Sequence, residues 1–220
     1  MIQLLLITLM TTNMAEKPKL IYVGDPMCSW CYGIAPELEQ LKSELKDVLE
    51  FELILGGLRP YNKQSMVELK EFLSHHWEDV HKKSKQEFNY AILDDSSITY
   101  DTEPPCRANM IVREMAPDKS FEFFHETQAA FYFENKNMHA LESYLEILSK
   151  LNIDKETFSQ KFMSTEAKVR IKEDFKRSAE LGVNSFPTIL LLHKGEYHTI
   201  AQGYSTNEKM QKRIKEILSL

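Results

Sequence analysis

Strand-forming segments lie near the two ends of this 220-residue chain, and this distribution constrains the fold more than any other feature. Apolar, β-prone runs occupy residues 20–23 and 51–55 near the N-terminus, and residues 188–192 and 197–201 near the C-terminus. From about residue 62 to residue 166, apolar residues instead recur at spacings of three and four, which is typical of amphipathic helices. We therefore predict an α/β protein in which a βαβ half and a ββα half are separated by an inserted all-helical domain.

This pattern also predicts domain boundaries. Residues 17–62 form the first half of the α/β domain, residues 63–166 the helical insertion, and residues 167–220 the second half. Residues 1–16 are expected to be an N-terminal extension, with Met14 as the true start. The apolar part of this extension lacks the basic region of a signal peptide and is too short to cross a bilayer. We predict a cytoplasmic protein, with export through an atypical signal as the weaker alternative.

A pair of cysteines, Cys28 and Cys31, stands where the first strand and its Gly24-Asp25-Pro26 turn give way to a helix. The apolar face of that helix is predicted from Ile34, Leu38, Leu41, Leu45 and Val48. At a helix start, free backbone N–H groups and the helix dipole stabilise an anion, which favours the Cys28 thiolate. The thiolate is the reactive form of cysteine, so Cys28 is predicted to be the nucleophile and Cys31 the thiol that resolves a mixed disulfide.

A zinc site and a purely structural role both fit this pair less well. Half of a zinc site would need further ligands, such as Cys106 and a histidine, from elsewhere in the chain. Two inert core cysteines are not expected, because Gly24-Asp25-Pro26 and Gly33 indicate a turn at the surface. The strand–turn–helix context favours redox chemistry.

A second signal is Ser185-Phe186-Pro187-Thr188, directly before the third predicted strand. Proline is tolerated at the first position of a central strand. Cis X–Pro bonds occur typically in tight turns. The position of Pro187 therefore favours a turn that presents a strand edge.

The nine residues from Asp25 to Gly33, with Phe186-Pro187-Thr188 downstream, resemble the DsbA-like thioredoxin superfamily, and most closely its FrnE-like dithiol oxidoreductases. The resemblance extends from about Lys17 over nearly all of the chain. It implies that Pro187 is cis and faces the disulfide, and that Trp30, Ser185, Phe186 and Pro187 bind substrate. One position departs from the thioredoxin pattern: the buried acid usually found six residues before the first cysteine is Tyr22 here.

The third cysteine, Cys106, follows Glu103-Pro104-Pro105 at a predicted helix start. It is a candidate auxiliary thiol facing the pair, because reactive cysteines favour helix N-termini. The alternative is a buried free cysteine, which is the commonest state of this residue. No metal site is predicted, since His75, His76 and His81 provide no pair at the i, i+4 spacing of a helical zinc motif.

These features predict a thiol–disulfide oxidoreductase or isomerase that acts on protein or small-molecule thiols and disulfides. No cofactor is needed beyond the redox-active disulfide, although glutathione is a candidate co-substrate. The formal net charge of −6 argues against a nucleic-acid partner, and no membrane partner is expected. The alternatives are a glutathione-dependent isomerase or transferase of the kappa and hydroxychromene-carboxylate isomerase type, and a non-enzymatic adaptor.

Overall fold

The structure of the protein, a computed structural model, describes residues 17–220. The predicted N-terminal extension, with Met14 and the alternative export signal, lies outside the described residues. No helix within residues 17–220 combines the length and the apolar character needed to span a bilayer.

A four-stranded mixed sheet forms the centre of the fold. Its strands are β1 (Lys19–Gly24), β2 (Glu50–Leu55), β3 (Thr188–His193) and β4 (Glu196–Gln202). Their order across the sheet is β2-β1-β3-β4, with β1 parallel to β2 and antiparallel to β3, and β3 antiparallel to β4. The predicted α/β class and thioredoxin-like arrangement are confirmed.

Eight α-helices within the described residues surround this sheet. They are α1 (Ser29–Leu45), α2 (Lys70–Ser84), α3 (Glu103–Met115), α4 (Ser120–Tyr132), α5 (Glu142–Lys150), α6 (Lys155–Met163), α7 (Thr165–Glu180) and α8 (Asn207–Leu218). Helices α2 to α7 all lie between β2 and β3 in the chain. The predicted boundary between residues 166 and 167 falls within the first turn of α7, and the division into domains stays a prediction.

Successive residues of β1 face opposite sides of the sheet, as the pleat requires. Leu20 and Tyr22 belong to the large apolar cluster shared with α1 and the helices after β2. Ile21 and Val23 belong to a smaller cluster that includes Leu190. Because β1 is buried on both faces, it positions whatever follows its last residue against fixed surroundings.

Three details differ from the sequence prediction. Val48 lies beyond the end of α1 and is 37% exposed. The spacing of Met66, Leu69, Phe72 and Leu73 predicts one apolar helix face, but Phe72 of α2 is 46% exposed. The Phe72 ring is instead covered by His76 and by the guanidinium of Arg59. The sequence predicts a loop over residues 98–105, but the last three of these residues form the first turn of α3. Prolines are tolerated there because the first N–H groups of a helix have no intrahelical acceptor.

Candidate functional site

Cys28 is the N-cap residue of α1. Its backbone is extended, with φ −88° and ψ 114°, and its N–H donates to the carbonyl of Asp25 at 3.0 Å. The turn that starts at Gly24 thus delivers the Cys28 sulfur to the N-terminal end of a 17-residue helix. This position places the sulfur where helix dipole and free N–H groups stabilise negative charge.

Cys31 lies in the first turn of α1 and is completely buried. Burial raises the pKa of the Cys31 thiol well above its usual range, and the neighbouring Cys28 raises it further. Cys28 is itself only 4% exposed. The expected turn at the surface is therefore wrong, because Gly24, Asp25 and Pro26 are buried as well.

The error concerns Gly33, which belongs to α1 rather than to a turn. A Cβ at this position would lie 2.6 Å from Cγ1 of Val80 in α2. The glycine is required by the close approach of two helices. That approach brings α2 over the helix that carries both cysteines.

The Phe186–Pro187 peptide bond is cis and lies opposite the cysteine pair. The Cys28 thiol donates to the carbonyl oxygen of Phe186 at 3.5 Å, across a separation of 158 residues. The Pro187 carbonyl accepts the N–H of Gly203 at 2.8 Å, which fixes this segment to the end of β4. The Ser185 hydroxyl accepts from the Gln202 side chain at 2.9 Å.

The Phe186 ring depends on a glycine that sequence reasoning does not select. A Cβ on Gly56, directly after β2, would lie 2.0 Å from the ring. Only a residue without a side chain permits this contact. The signal in the sequence is the Gly56-Gly57 pair after the second strand, which by itself indicates only that the strand ends.

Trp30, which stands between the two cysteines in the sequence, is half-buried. Its ring lies 6.5 Å from the ring of Tyr204, centroid to centroid. The Tyr204 hydroxyl donates in turn to the carboxylate of Glu37 on α1. Trp30 is thus held at the rim of the site by the segment between β4 and α8.

Asp25 is a second residue that sequence reasoning misses, since its local context indicates only a turn. Its carboxylate is completely buried and accepts the N–H groups of Met27 at 2.8 Å and Leu58 at 2.6 Å. Burial raises the pKa of Asp25, against the lowering effect of these hydrogen bonds. The carboxylate thereby fixes the loop that leads into Cys28.

Cys106 lies in the first turn of α3 and is completely buried. Its thiol donates to Asp25 Oδ2 at 3.3 Å. Burial raises the pKa of Cys106 well above its usual range, and the charge of Asp25 adds to this effect. Cys28, Cys31 and Cys106 are free thiols. The auxiliary role of Cys106 stays a prediction.

Within residues 17–220, no group of three or more histidine, cysteine, aspartate or glutamate side chains is arranged to hold a metal ion. The ring Nδ1 of His76 lies 3.1 Å from the carbonyl of Phe72, in its own helix. His81 Nδ1 lies 2.7 Å from the carbonyl of Gln86. These rings serve local backbone contacts.

Comparisons with known proteins agree with this fold. The family model described as thioredoxin matches residues 21–211. A structure described as a "putative protein disulfide isomerase" from Nitrosomonas europaea is 33% identical, with a TM-score of 0.85, over 93% of this chain and 98% of that one. None of the proteins with curated functions matches the sequence.

Two more distant structures share the fold. The cytosolic disulfide reductase DsbM from Pseudomonas aeruginosa is 23% identical, with a TM-score of 0.76, over 91% of this chain and 98% of that one. A 2-hydroxychromene-2-carboxylate isomerase is 14% identical, with a TM-score of 0.60, over 91% of this chain and 95% of that one. With the family match over most of its length, the chain belongs to the thioredoxin family.

Proposed function

We propose that the protein is a thiol–disulfide oxidoreductase with Cys28 as nucleophile and Cys31 as resolving thiol. The observation that carries this proposal is the position of Cys28, which caps α1 and faces the Phe186 carbonyl beside Pro187. A free thiol at a helix N-terminus, next to a segment that can bind substrate, has what disulfide exchange requires.

In the reductive direction, the Cys28 thiolate attacks one sulfur of a substrate disulfide. A Cys28–substrate disulfide forms, and the other substrate sulfur leaves as a thiolate. Cys31 then loses its proton and attacks Cys28 Sγ, which releases the second substrate thiol and forms the Cys28–Cys31 disulfide. Two electrons pass to the substrate, and the reverse sequence oxidises a dithiol.

Substrate is proposed to bind along Trp30, Ser185, Phe186 and Pro187. Backbone pairing with an extended segment gives affinity that tolerates many sequences, as in β-strand addition. Such binding suits protein disulfides as well as small ones. The half-buried Trp30 ring provides an apolar contact beside the nucleophile.

Glutathione is the reductant or co-substrate that we propose to test first, and the cytoplasm is the proposed compartment. DsbM, which shares the fold, is described as a cytosolic disulfide reductase, and one of its structures contains GSH. Two glutathione thiols would return the Cys28–Cys31 disulfide to the dithiol. No metal or nucleotide takes part in the proposed reaction.

Insulin reduction with glutathione as electron donor tests the function. We expect the Cys28→Ser variant to lose all activity, because no nucleophile remains. The Cys31→Ser variant should accumulate a mixed disulfide with substrate that mass spectrometry detects. Cys106→Ser keeps a hydrogen-bond donor for Asp25 and shows separately what the third thiol contributes.

Full activity of the Cys28→Ser variant would contradict the proposal and favour an adaptor. The isomerase alternative makes a different prediction, because chemistry of that type uses one residue to activate glutathione. Tight glutathione binding and isomerase activity that survive Cys31→Ser would support it. The presence of Cys31 in the first turn of α1 favours exchange chemistry.

A further inference from the structure

A cavity of about 320 Å³ lies between α1 and α4 and reaches the buried resolving cysteine. Cys31 and Tyr22 belong to its lining, and Leu38, Phe121 and Phe124 form apolar walls. Its lining, drawn from the described part of the chain, includes neither Cys28 nor Phe186. The cavity therefore approaches Cys31 from a side that the substrate-binding segment does not occupy.

Gln128 on α4 gives this cavity a polar wall. The side chain is completely buried, and neither its amide nitrogen nor its amide oxygen has a hydrogen-bond partner among residues 17–220. A buried polar group without a hydrogen bond destabilises the folded state, so a folded protein normally supplies a partner. Since a water molecule occupies about 30 Å³ of liquid, the cavity has room for several that would serve the amide.

Tyr22 of β1 stands where the cavity meets Cys31. Its hydroxyl is buried and has no hydrogen-bond partner among the described residues. Its proximity nevertheless lowers the pKa of Cys31, against the larger effect of burial. This is the position at which the thioredoxin pattern has a buried acid, and here a phenol lines the cavity instead.

Titratable side chains also line this cavity, on α1, on α4 and in the turn that precedes α4. They are Glu39, Lys42, Asp118, Glu122, His125 and Glu126. Beside Cys31 lie the titratable groups of Tyr22, Cys28, Asp25 and Tyr132. Proton acceptors and donors thus continue along the cavity lining from the buried sulfur.

We infer that this cavity is a hydrated route by which the Cys31 proton reaches solvent, with Tyr22 as the group that relays the proton and Gln128 as a positioning residue for the water. The inference rests on the proposed function, because only a resolving thiol must lose its proton. As Cys31 attacks Cys28 Sγ, the Tyr22 oxygen accepts the thiol proton and the Tyr22 O–H proton passes to cavity water. The lining carboxylates and His125 pass it on, and no other bond changes.

Reaction of the reduced protein with one equivalent of 5,5′-dithiobis(2-nitrobenzoate) separates the two cysteines. Attack by Cys28 releases a first coloured thiolate, and resolution by Cys31 releases a second. Stopped-flow absorbance over a range of pH follows both phases. The variants are Tyr22→Phe, Gln128→Leu and Ala35→Leu, of which the last fills the cavity without removing a polar group.

In all three variants we expect the second phase to slow by about tenfold at neutral pH, which corresponds to a rise of about one in the pKa of Cys31. The pH midpoint of the second phase should move upward. The rate of the first phase should stay within about twofold of its rate in the unmodified protein, because Cys28 does not line the cavity. Tyr144→Phe removes an equally buried hydroxyl, bonded to the Met138 carbonyl and outside the cavity, and is the matched control.

A second phase with unchanged rate and pH midpoint in Gln128→Leu and Ala35→Leu overturns the inference, even where Tyr22→Phe does not fold. Equal slowing in Tyr144→Phe overturns it as well, since the effect would then be general. A reduced protein without any first phase contradicts the proposed function itself. The two failures are therefore distinguishable.

Discussion

Asp25 connects, through one carboxylate, three segments that are distant in the chain. Its oxygens accept from Met27 in its own loop, from Leu58 after β2 and from Cys106 on α3. A buried carboxylate with these donors rigidifies the approach to Cys28. Its burial also makes the protonation of this group part of the stability of the fold.

The substitution Asp25→Asn should remove a pH dependence of stability. Because the pKa of Asp25 is higher in the folded protein than in the unfolded chain, the folded protein holds the carboxyl proton more tightly. The free energy of unfolding therefore falls as pH rises from about 4, the usual aspartate pKa, through the raised pKa of folded Asp25. Urea unfolding between about pH 4 and pH 7 measures the free energy of unfolding across this window. The variant should show a shallower decline with pH.

Asp154 provides the control for this measurement. It is an exposed N-cap of α6 whose pKa is lowered by hydrogen bonds from Thr157. Its contribution to stability is present above the usual aspartate pKa and disappears only as pH falls below it. Asp154→Asn should thus leave the slope above about pH 4 unchanged. Identical slopes for Asp25→Asn and the unmodified protein would contradict the prediction.

At the scale of elements, the contact of α1 with α2 determines how deeply the cysteine pair is buried. Because Gly33 has no side chain, the two helices approach so closely that a Val80 methyl group occupies the place where a Cβ of residue 33 would lie. Val80 is completely buried and β-branched, so it has little freedom to move. The packing of this pair of helices is therefore sensitive to one methyl group.

Gly33→Ala should lower the free energy of unfolding by roughly 1–3 kcal/mol, the usual cost of overpacking. The better helix propensity of alanine offsets up to about 1 kcal/mol of this. Denaturant midpoints measure the loss. In a Val80→Ala background, the same change should be neutral or stabilising, because its clash partner is gone. A loss of equal size in both backgrounds would refute the role of the Val80 contact.

For the whole molecule, Asp174 of α7 joins the helices after β2 to the sheet. Its carboxylate accepts two hydrogen bonds from the Arg113 guanidinium, at 2.6 and 2.8 Å, and one from the N–H of Leu55 at 3.0 Å. Arg113 also donates to the carbonyl of Leu53 at 2.8 Å. One largely buried ion pair thus links α3, α7 and β2.

Asp174→Ala should destabilise the protein by roughly 3 kcal/mol, because it leaves the Arg113 charge without its partner. Thermal or urea unfolding measures the change. The exposed pair of Glu78 and Lys82 on α2 is the control, and Glu78→Ala should cost less than about 1 kcal/mol. Similar losses from both substitutions would show that burial does not strengthen the Arg113–Asp174 pair.

Local patterns in the sequence are sufficient for the elements and for part of the site. The spacing of Cys28 and Cys31 is local, and so is the run of apolar residues that predicts β3. Two of the three partners of Asp25, Leu58 and Cys106, are 33 and 81 residues away, so no local pattern indicates them. The burial of Cys28 and the place of Phe186 against Gly56 likewise depend on how distant elements pack.

The pairing of β1 with β3, from Lys19 opposite Leu192 to Val23 opposite Thr188, has a consequence for how the protein is made. Cys28 leaves the ribosome 158 residues before Phe186, which at about 5–20 residues per second corresponds to a delay of roughly 8–32 s. During that interval the nascent chain carries both thiols without the segment that later faces them. Assembly of the site is therefore a late event of biosynthesis, because it requires both the synthesis of β3 and the closure of one very long loop.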